Sequence, residues 1–546
     1  VKSIRVSFPL AAILLFGACR GVAGLDDLSF SGETSPGSSS SSSGGSFCEP
    51  GALEACDAMY SGPPGTAGVG LCRAPSRVCD NEGTGFGECA GEVVPKAEDC
   101  STAEDEDCDG RAACDGSAIG AKPYGEGADV EICGVAADAA GNLIVAGNFQ
   151  NTINFGGADL QSPTAKSIFV AKLDGQGAHL WSRMVTGAQE QTCSGIALGP
   201  NGNVVLGGYY AGGSPDFGGG PLPPANNVDG FYAKLEAANG EHVWSAAIGG
   251  GGDQSVRGFG VDTAGFVFMV GRFQGQISIG KFTLTADAQN ETFVAKLASD
   301  AAPVLAKRFS ASVALHGMKI AVIPATGGAV IAGQIIGTGQ FGGTTLTGSG
   351  NNQDAFLIRL DPNAGVLWAT ALVGSNRQQV NSLAIDSSGD VLAAGEFETT
   401  VDFGGIPLTA TSVDGFVTRL DGAGKAIWAR AIGGLNNQVA NSVAVDASGA
   451  VLTAGTFLSG VALDPNKAPA AGGDDAFIGK LRLDTGATIW LRPFGSLSNE
   501  TAEAVAVDND GNAIVSGKYM GDLDLGLDTG PLTSPEGDAY LAKLAP

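Results

Sequence analysis

The stretch Ser442-Val-Ala-Val-Asp-Ala-Ser-Gly-Ala-Val-Leu-Thr-Ala-Gly-Thr-Phe457 reads as two short strands joined by a tight turn. Residues Ser442 to Asp446 alternate as a strand. The Asp446-Ala-Ser-Gly449 step turns, because an Asp side chain accepts from its own turn and Gly tolerates φ > 0. Val451 to Phe457 then returns as a second strand. In the preceding copy of the pattern, a looser Phe403-Gly-Gly stretch leads to a third strand, Gly415 to Leu420. Asp421-Gly-Ala-Gly424 turns again, into a fourth strand carrying Trp428.

Working outward, the same pattern recurs seven times. An aromatic residue stands three before a Lys or Arg at Phe169, Phe231, Phe293, Phe356, Phe416, Phe477 and Tyr540, with spacings of 62, 62, 63, 60, 61 and 63. Each repeat also carries two Gly six residues apart, as at Gly449 and Gly455, and all five Trp fall at one repeat position, where Ala306 replaces Trp once. Four strands per repeat without helical periodicity make one blade, so the expected fold is all-β, a seven-bladed β-propeller over residues 117–546. The period of about 61 exceeds that of common blades, and the excess is assigned to the loop between the second and third strands. The seventh repeat stops after its third strand, at Lys543-Leu544, while Gly116 to Gly125 aligns without gaps to Gly486 to Gly495, a fourth strand. The start of the propeller is therefore expected to supply the outer strand of the seventh blade, which removes an open edge.

Composition bounds the partners. A net charge of −27, from 30 bases against 57 acids, argues against nucleic-acid phosphate. At the N-terminus, Lys2 and Arg5 precede the apolar run Val6 to Phe16 and then Gly-Ala-Cys19, which reads as a lipoprotein signal peptide over residues 1–18 with Cys19 lipidated. An ordinary secretory signal is the other reading, and both export the protein. Residues 19–47 form a Ser/Gly-rich tether. The expected location is the outer membrane, at the cell surface or periplasmic face, with membrane contact through the lipid alone and the protein a monomer. Residues 48–116 hold Cys48, Cys56, Cys72, Cys79, Cys89, Cys100, Cys108 and Cys114, a disulfide-stapled module in an oxidising compartment.

The repeats, with Asp-x-x-Gly, an Ala-Gly pair and Asp-x-Phe-x-x-Lys-Leu, resemble the SBBP β-propeller repeats of exported bacterial lipoproteins. That resemblance implies a propeller at the cell surface and no established chemistry. Val94-Pro-Lys-Ala-Glu-Asp-Cys100 with Asp105-Glu-Asp-Cys-Asp-Gly110 is similar to the metal-binding motif of secreted bacterial proteins that include copper binders.

Several residues carry chemistry on either of two readings. Asp105, Asp107 and Asp109 followed by Gly110 open like a calcium loop, although position twelve is Gly116 and supplies no bidentate carboxylate. The alternative is an acidic turn pinned by Cys100 and Cys108. Gln191, Gln254, Gln378 and Gln438, with His316, Glu500 and Val130 at the odd positions, enter the innermost strands and are expected to ring one channel mouth. Their amides either bind hydroxyl-rich glycans or peptide, or tie each loop to the next blade. His179 and His242 share an outer-strand position. Cys133 and Cys193, one register step apart in the first two innermost strands, either bridge the first two blades or stay as two buried thiols. No catalytic constellation is visible. The expected function is a binding or scaffold module for protein or polysaccharide, with a polysaccharide-acting enzyme or a structural envelope component as alternatives.

Overall fold

A computed structural model describes residues 48–96, 104–106, 108, 114–125, 129–163, 166–287, 289–348, 353–374, 376–527 and 529–546. The chain forms two compact units, one of residues 48–54 with Val78–Gly87, the other of Ala55–Arg77 with Glu88–Pro546. In the small unit, Cys48 is bonded to Cys79, and the Asp80 carboxylate accepts from the Thr84 amide at 2.7 Å to hold a short loop. The large unit carries the bridges Cys56–Cys89, Cys72–Cys108 and Cys133–Cys193, and Cys114 is disulfide-bonded as well. Bridges of this number belong to exported proteins. No described helix is long and apolar enough to cross a membrane.

The large unit is a β-propeller. Among the described residues it contains seven four-stranded antiparallel meanders and no α-helix. Their innermost strands are Val130–Ala137, the second half of His179–Leu198, Gln254–Val261, Ala314–Ile323, Gln378–Ile385, Gln438–Val445 and Ala504–Val507. Each packs beside the next, and Ala504–Val507 packs beside Val130–Ala137, which closes the ring. Ala118–Tyr124 pairs antiparallel with Leu532–Leu544, placing Pro123 opposite Tyr540. The N-terminal closing strand expected from sequence is thus the outer strand of the seventh blade. His179–Leu198 runs unbroken from the outer strand of blade one into the inner strand of blade two, merging those blades into one seven-stranded sheet.

The repeat markers have distinct physical causes. The aromatic side chain is buried in every blade, with Phe169, Phe231, Phe293, Phe356, Phe416 and Phe477 at 0% exposure. Burial of such a ring contributes roughly 1.5–3 kcal/mol. The first Gly of each pair is a turn residue, as at Gly449 with φ 92°. The second is a close-approach residue: a Cβ on Gly395 would lie 1.9 Å from the Gln379 carbonyl oxygen and 2.9 Å from the Phe416 ring. That carbonyl sits beside a bulge between Val380 and Ser382, which leaves Asn381 without a ladder partner. The excess of the period does lie between second and third strands. It forms small ribbons such as Gln276–Ile279 with Phe282–Thr285, or lengthens the strands themselves, as where Thr400 pairs with Thr409.

Candidate binding mouth of the channel

An antiparallel meander sends its first and third turns to one end of the ring and its remaining loops to the other. The turn end is built by repetition. Asp446 accepts from its own turn at the Ala450 amide, 2.8 Å away, and pairs with Lys480 at 2.9 Å. Lys172 with Asp138, Arg419 with Asp386 and Lys543 with Asp508 make the same pair, each at 2.8 Å. Burial opposes ionisation of Asp138, but its bonds from Lys172 and Asn142 hold the carboxyl down at about 2. Every Trp indole donates to a main-chain carbonyl of the following blade: Trp181 to Ala237 at 3.1 Å, Trp244 to Ser299 at 3.0 Å, Trp368 to Gly422 at 3.0 Å, Trp428 to Leu483 at 2.8 Å and Trp490 to Pro546 at 2.9 Å. The recurring Asp, Lys and Trp are therefore ties within and between blades.

The loop end corrects one expectation. Gln191, Gln254, Gln378, Gln438 and Glu500 are all at 0% exposure and present nothing to a ligand at the mouth. The incoming loops fold over them. Gln438 Nε2 donates to the carbonyls of Leu435 and Gly460, both at 3.0 Å, and Gln254 Nε2 to that of Gln274 at 3.3 Å. Glu500 accepts from the Ser496 amide at 2.7 Å and its hydroxyl at 2.6 Å. The loop-tying alternative thus describes Gln254, Gln438 and Glu500, whereas the side-chain amides of Gln191 and Gln378 are buried with no hydrogen-bond partner among the described residues. Val130 is buried as well.

His316 is a second correction. In register, Leu315 opposite Ile335 occupies the Gln position, while His316 lies opposite Gln334, one residue further along. A one-residue step moves a side chain to the other face. His316 is accordingly half-buried, and its Nε2 has no partner among the described residues.

The residues at this His316 level differ from blade to blade. The register pairs are Glu131 with Asn148, Thr192 with Tyr209, Ser255 with Arg272, Gln379 with Glu396 and Val439 with Thr456. The bulge position just beyond holds Cys133, Ser194, Arg257, Met318, Asn381 and Asn441 in blades one to six. In the first blade this position is used by the Cys133–Cys193 bridge, which joins neighbouring inner strands as expected. Across blades seven and one, Glu503 accepts from the Ile132 amide at 3.0 Å, and burial pushes its carboxyl up. Lys518 lies 3.5 Å from Asp129, and Lys166 pairs with Glu131. Sequence reasoning missed these unlike residues because it followed what repeats; the departures from repetition were the available signal.

The remaining expected sites are dispersed. Cys19, Asp107 and Asp109 lie outside the described residues. Asp105 is buried, its carbonyl accepts from the Leu71 amide at 2.9 Å, and its side chain packs on Gly70, where a Cβ would come within 2.5 Å of the carboxyl carbon. Among the described residues no group of three metal-ligating side chains is assembled. His179 and His242 sit on outer strands, within 3.1 and 3.0 Å of Ser182 and Ser245 hydroxyls.

The chain matches no family profile. A regulatory protein of Caulobacter vibrioides, FlaEY, is 26% identical over 180 residues, 31% of this chain and 18% of that protein. An uncharacterized WD repeat-containing protein of Acanthamoeba polyphaga mimivirus is 30% identical over 112 residues, 19% of this chain and 8% of the viral protein. The chain thus spans under a fifth of the length of either relative. Among solved structures, the Pan2 WD40 domain of Neurospora crassa aligns over 79% of this chain and 98% of its own, at 9% identity and TM-score 0.39. Quinohemoprotein alcohol dehydrogenase from Comamonas testosteroni aligns over 79% and 76%, at 10% identity and TM-score 0.40.

Proposed function

We propose that this chain is an exported, lipid-anchored binding module of the SBBP-repeat type, which recognises a protein or polysaccharide at the cell surface through the loop-end mouth of its channel. One observation carries the reading. The turn end repeats a single set of bonds, whereas the inner-strand residue at one level of the loop end differs from blade to blade, as Glu131, Thr192, Ser255, His316, Gln379 and Val439. Architecture calls for sameness, and recognition calls for difference. The disulfides support export, and the Cys19 sequence with its tether supports a lipid anchor. Binding is preferred to catalysis because the carboxylates Glu396 and Asp129 at this mouth are engaged in ion pairs with Arg377 and Lys518, and no nucleophile stands beside a free general base among the described residues.

The test is binding of the mature protein to an array of extracellular polysaccharides and purified surface proteins. Gln379→Ala with Asn441→Ala should abolish the signal in a protein that stays folded but melts somewhat lower, since Asn441 also donates to the Ala502 carbonyl at 2.9 Å and Gln379 accepts from Gln334 at 2.8 Å. Arg183→Ala with Lys234→Ala at the turn end should leave binding intact. Retained binding by the mouth variant would defeat the reading, and turnover of a bound polysaccharide would replace it with an enzyme.

A further inference from the structure

In a chain with 57 acids to 30 bases, four basic side chains gather at the loop-end mouth without an acid. Arg257 and Arg272 belong to blade three, His316 and Lys319 to blade four. Arg257 Nε donates to Ser255 Oγ at 3.0 Å, and Ser255 stands in register with Arg272, so both arginines flank Ser255. The Arg257 guanidinium lies 5.2 Å from the ring centre of Tyr209 in blade two. Blades three and four meet closely here, since a Cβ on Gly258 would fall 3.3 Å from the Lys319 Cα. All four basic residues are half-buried.

Eight other bases of the ring are neutralised by carboxylates, and Lys122, Arg183, Lys234, Arg359 and Arg430 donate instead to main-chain carbonyls. Lys172, Lys296, Arg308, Arg377, Arg419, Lys480, Lys518 and Lys543 each have a carboxylate within 4.0 Å. Arg257, Arg272 and Lys319 have none among the described residues. Glu291, next to the Thr292 that stands in register with Arg272, is engaged elsewhere, with Arg308 at 3.3 Å. The basic groups are near enough to depress one another. Burial lowers Lys319 first and the Arg257 charge adds to it, and burial together with Arg272 and Arg257 lowers His316.

We propose that Arg257, Arg272, His316 and Lys319 form an oxyanion-binding site, which receives the carboxylate, phosphate or sulfate oxygens of an acidic ligand entering the loop-end mouth. The donors suit that chemistry. A guanidinium offers a planar fork to a pair of oxygens. With Arg257 Nε committed to Ser255, neither of its Nη groups has a hydrogen-bond acceptor among the described residues. His316 Nε2 is buried and equally unpartnered, and Lys319 adds a point charge. Half-burial strengthens each attraction relative to water. Gathering like charges costs stability, and an acidic ligand removes that cost. The inference rests on the mouth being the ligand face and names the chemical class recognised there.

Calorimetric titration of the mature protein with inorganic phosphate, sulfate and trigalacturonate, against neutral maltotriose, tests the site. Binding is expected for the anions and absent for maltotriose. Equal binding of phosphate and trigalacturonate identifies a free oxyanion as the ligand, and tenfold or greater preference for trigalacturonate identifies an acidic sugar chain. Arg257→Gln, Arg272→Gln and Lys319→Met should each weaken anion binding about tenfold or more, as expected for loss of a charge-assisted hydrogen bond. Each should also raise the anion-free melting temperature. No anion bound at about 10 mM, or variants that melt lower yet bind unchanged, would overturn the proposal. A neutral glycan bound through Gln379 and Asn441 without anion binding removes this inference alone. Anion binding without any array ligand removes only the broader reading.

Discussion

The indole Nε1–H of Trp490 donates to the main-chain carbonyl of Pro546 across 2.9 Å, joining the outer strand of the sixth blade to the chain that follows the third strand of the seventh. Trp490 is 6% exposed, so the bond is made largely out of water. Trp490→Phe keeps most of the ring and removes the donor, with an expected loss of about 0.5–1.5 kcal/mol. Trp490→Ala removes the ring too and is expected to cost about 3–5 kcal/mol. Urea unfolding measures both, and a Trp490→Phe variant as stable as the parent would show that the hydrogen bond contributes nothing.

Ring closure rests on the pairing of Ala118–Tyr124 with Leu532–Leu544. Deleting Ser117–Tyr124 leaves the seventh blade with a bare edge, which favours aggregation and fraying. The deletion should lower the melting temperature steeply, whereas removal of the tether, residues 20–47, should not. Parent-like melting of the deletion would refute the closing role.

The Cys133–Cys193 bridge spans 60 residues of sequence and joins two neighbouring inner strands. Restricting the unfolded chain this way contributes about 2–4 kcal/mol in typical cases. Cys133→Ser with Cys193→Ala should lower stability by that order in guanidinium unfolding. Alkylation of the native parent under non-reducing conditions should leave both sulfurs unmodified.

Asp414 gives stability a pH dependence. Its carboxyl is buried, and burial raises its pKa from the ordinary 3.8 to about 6. The folded protein therefore keeps a proton that the unfolded chain releases, so stability falls as pH rises from about 4 to about 6 and levels off above that. The two-unit shift corresponds to about 2–3 kcal/mol. Asp414→Asn should raise stability at pH 7.5 and flatten this part of the profile in thermal melts from pH 4 to 8. A destabilised variant would show that the carboxylate form is the one the loop holds.

Cys19→Ser tests the anchor. The variant should move from the membrane fraction to the soluble fraction on cell fractionation, because the tether offers no other hydrophobic attachment. Full membrane association of the variant would remove the lipid anchor from the proposal.

What recurs in sequence is what the fold reuses, and it could be read in advance. The Asp446 turn, the buried Phe416 position, the paired Gly449 and Gly455, and the strand Ala118–Tyr124 each answer a local demand: a turn acceptor, a core side chain, a close approach, an unpaired edge. Local demands leave local marks in the residues themselves.

Burial and neighbourhood across blades left no such mark. Gln438 looks like a surface amide until the loop through Leu435 covers it, and His316 stands in line with the Gln series until strand register displaces it by one. Arg257 and Lys319, 62 positions apart, become one site only because inner strands of adjacent blades pack side by side. From sequence alone came the repeat, the ring, its closing strand and the placing of Cys133 beside Cys193. The tertiary structure decided which polar side chains are covered, which lie uncompensated at the mouth, and that every Trp ties one blade to the next. Those properties belong to distances between distant parts of the chain, which register and ring closure determine and residue order does not.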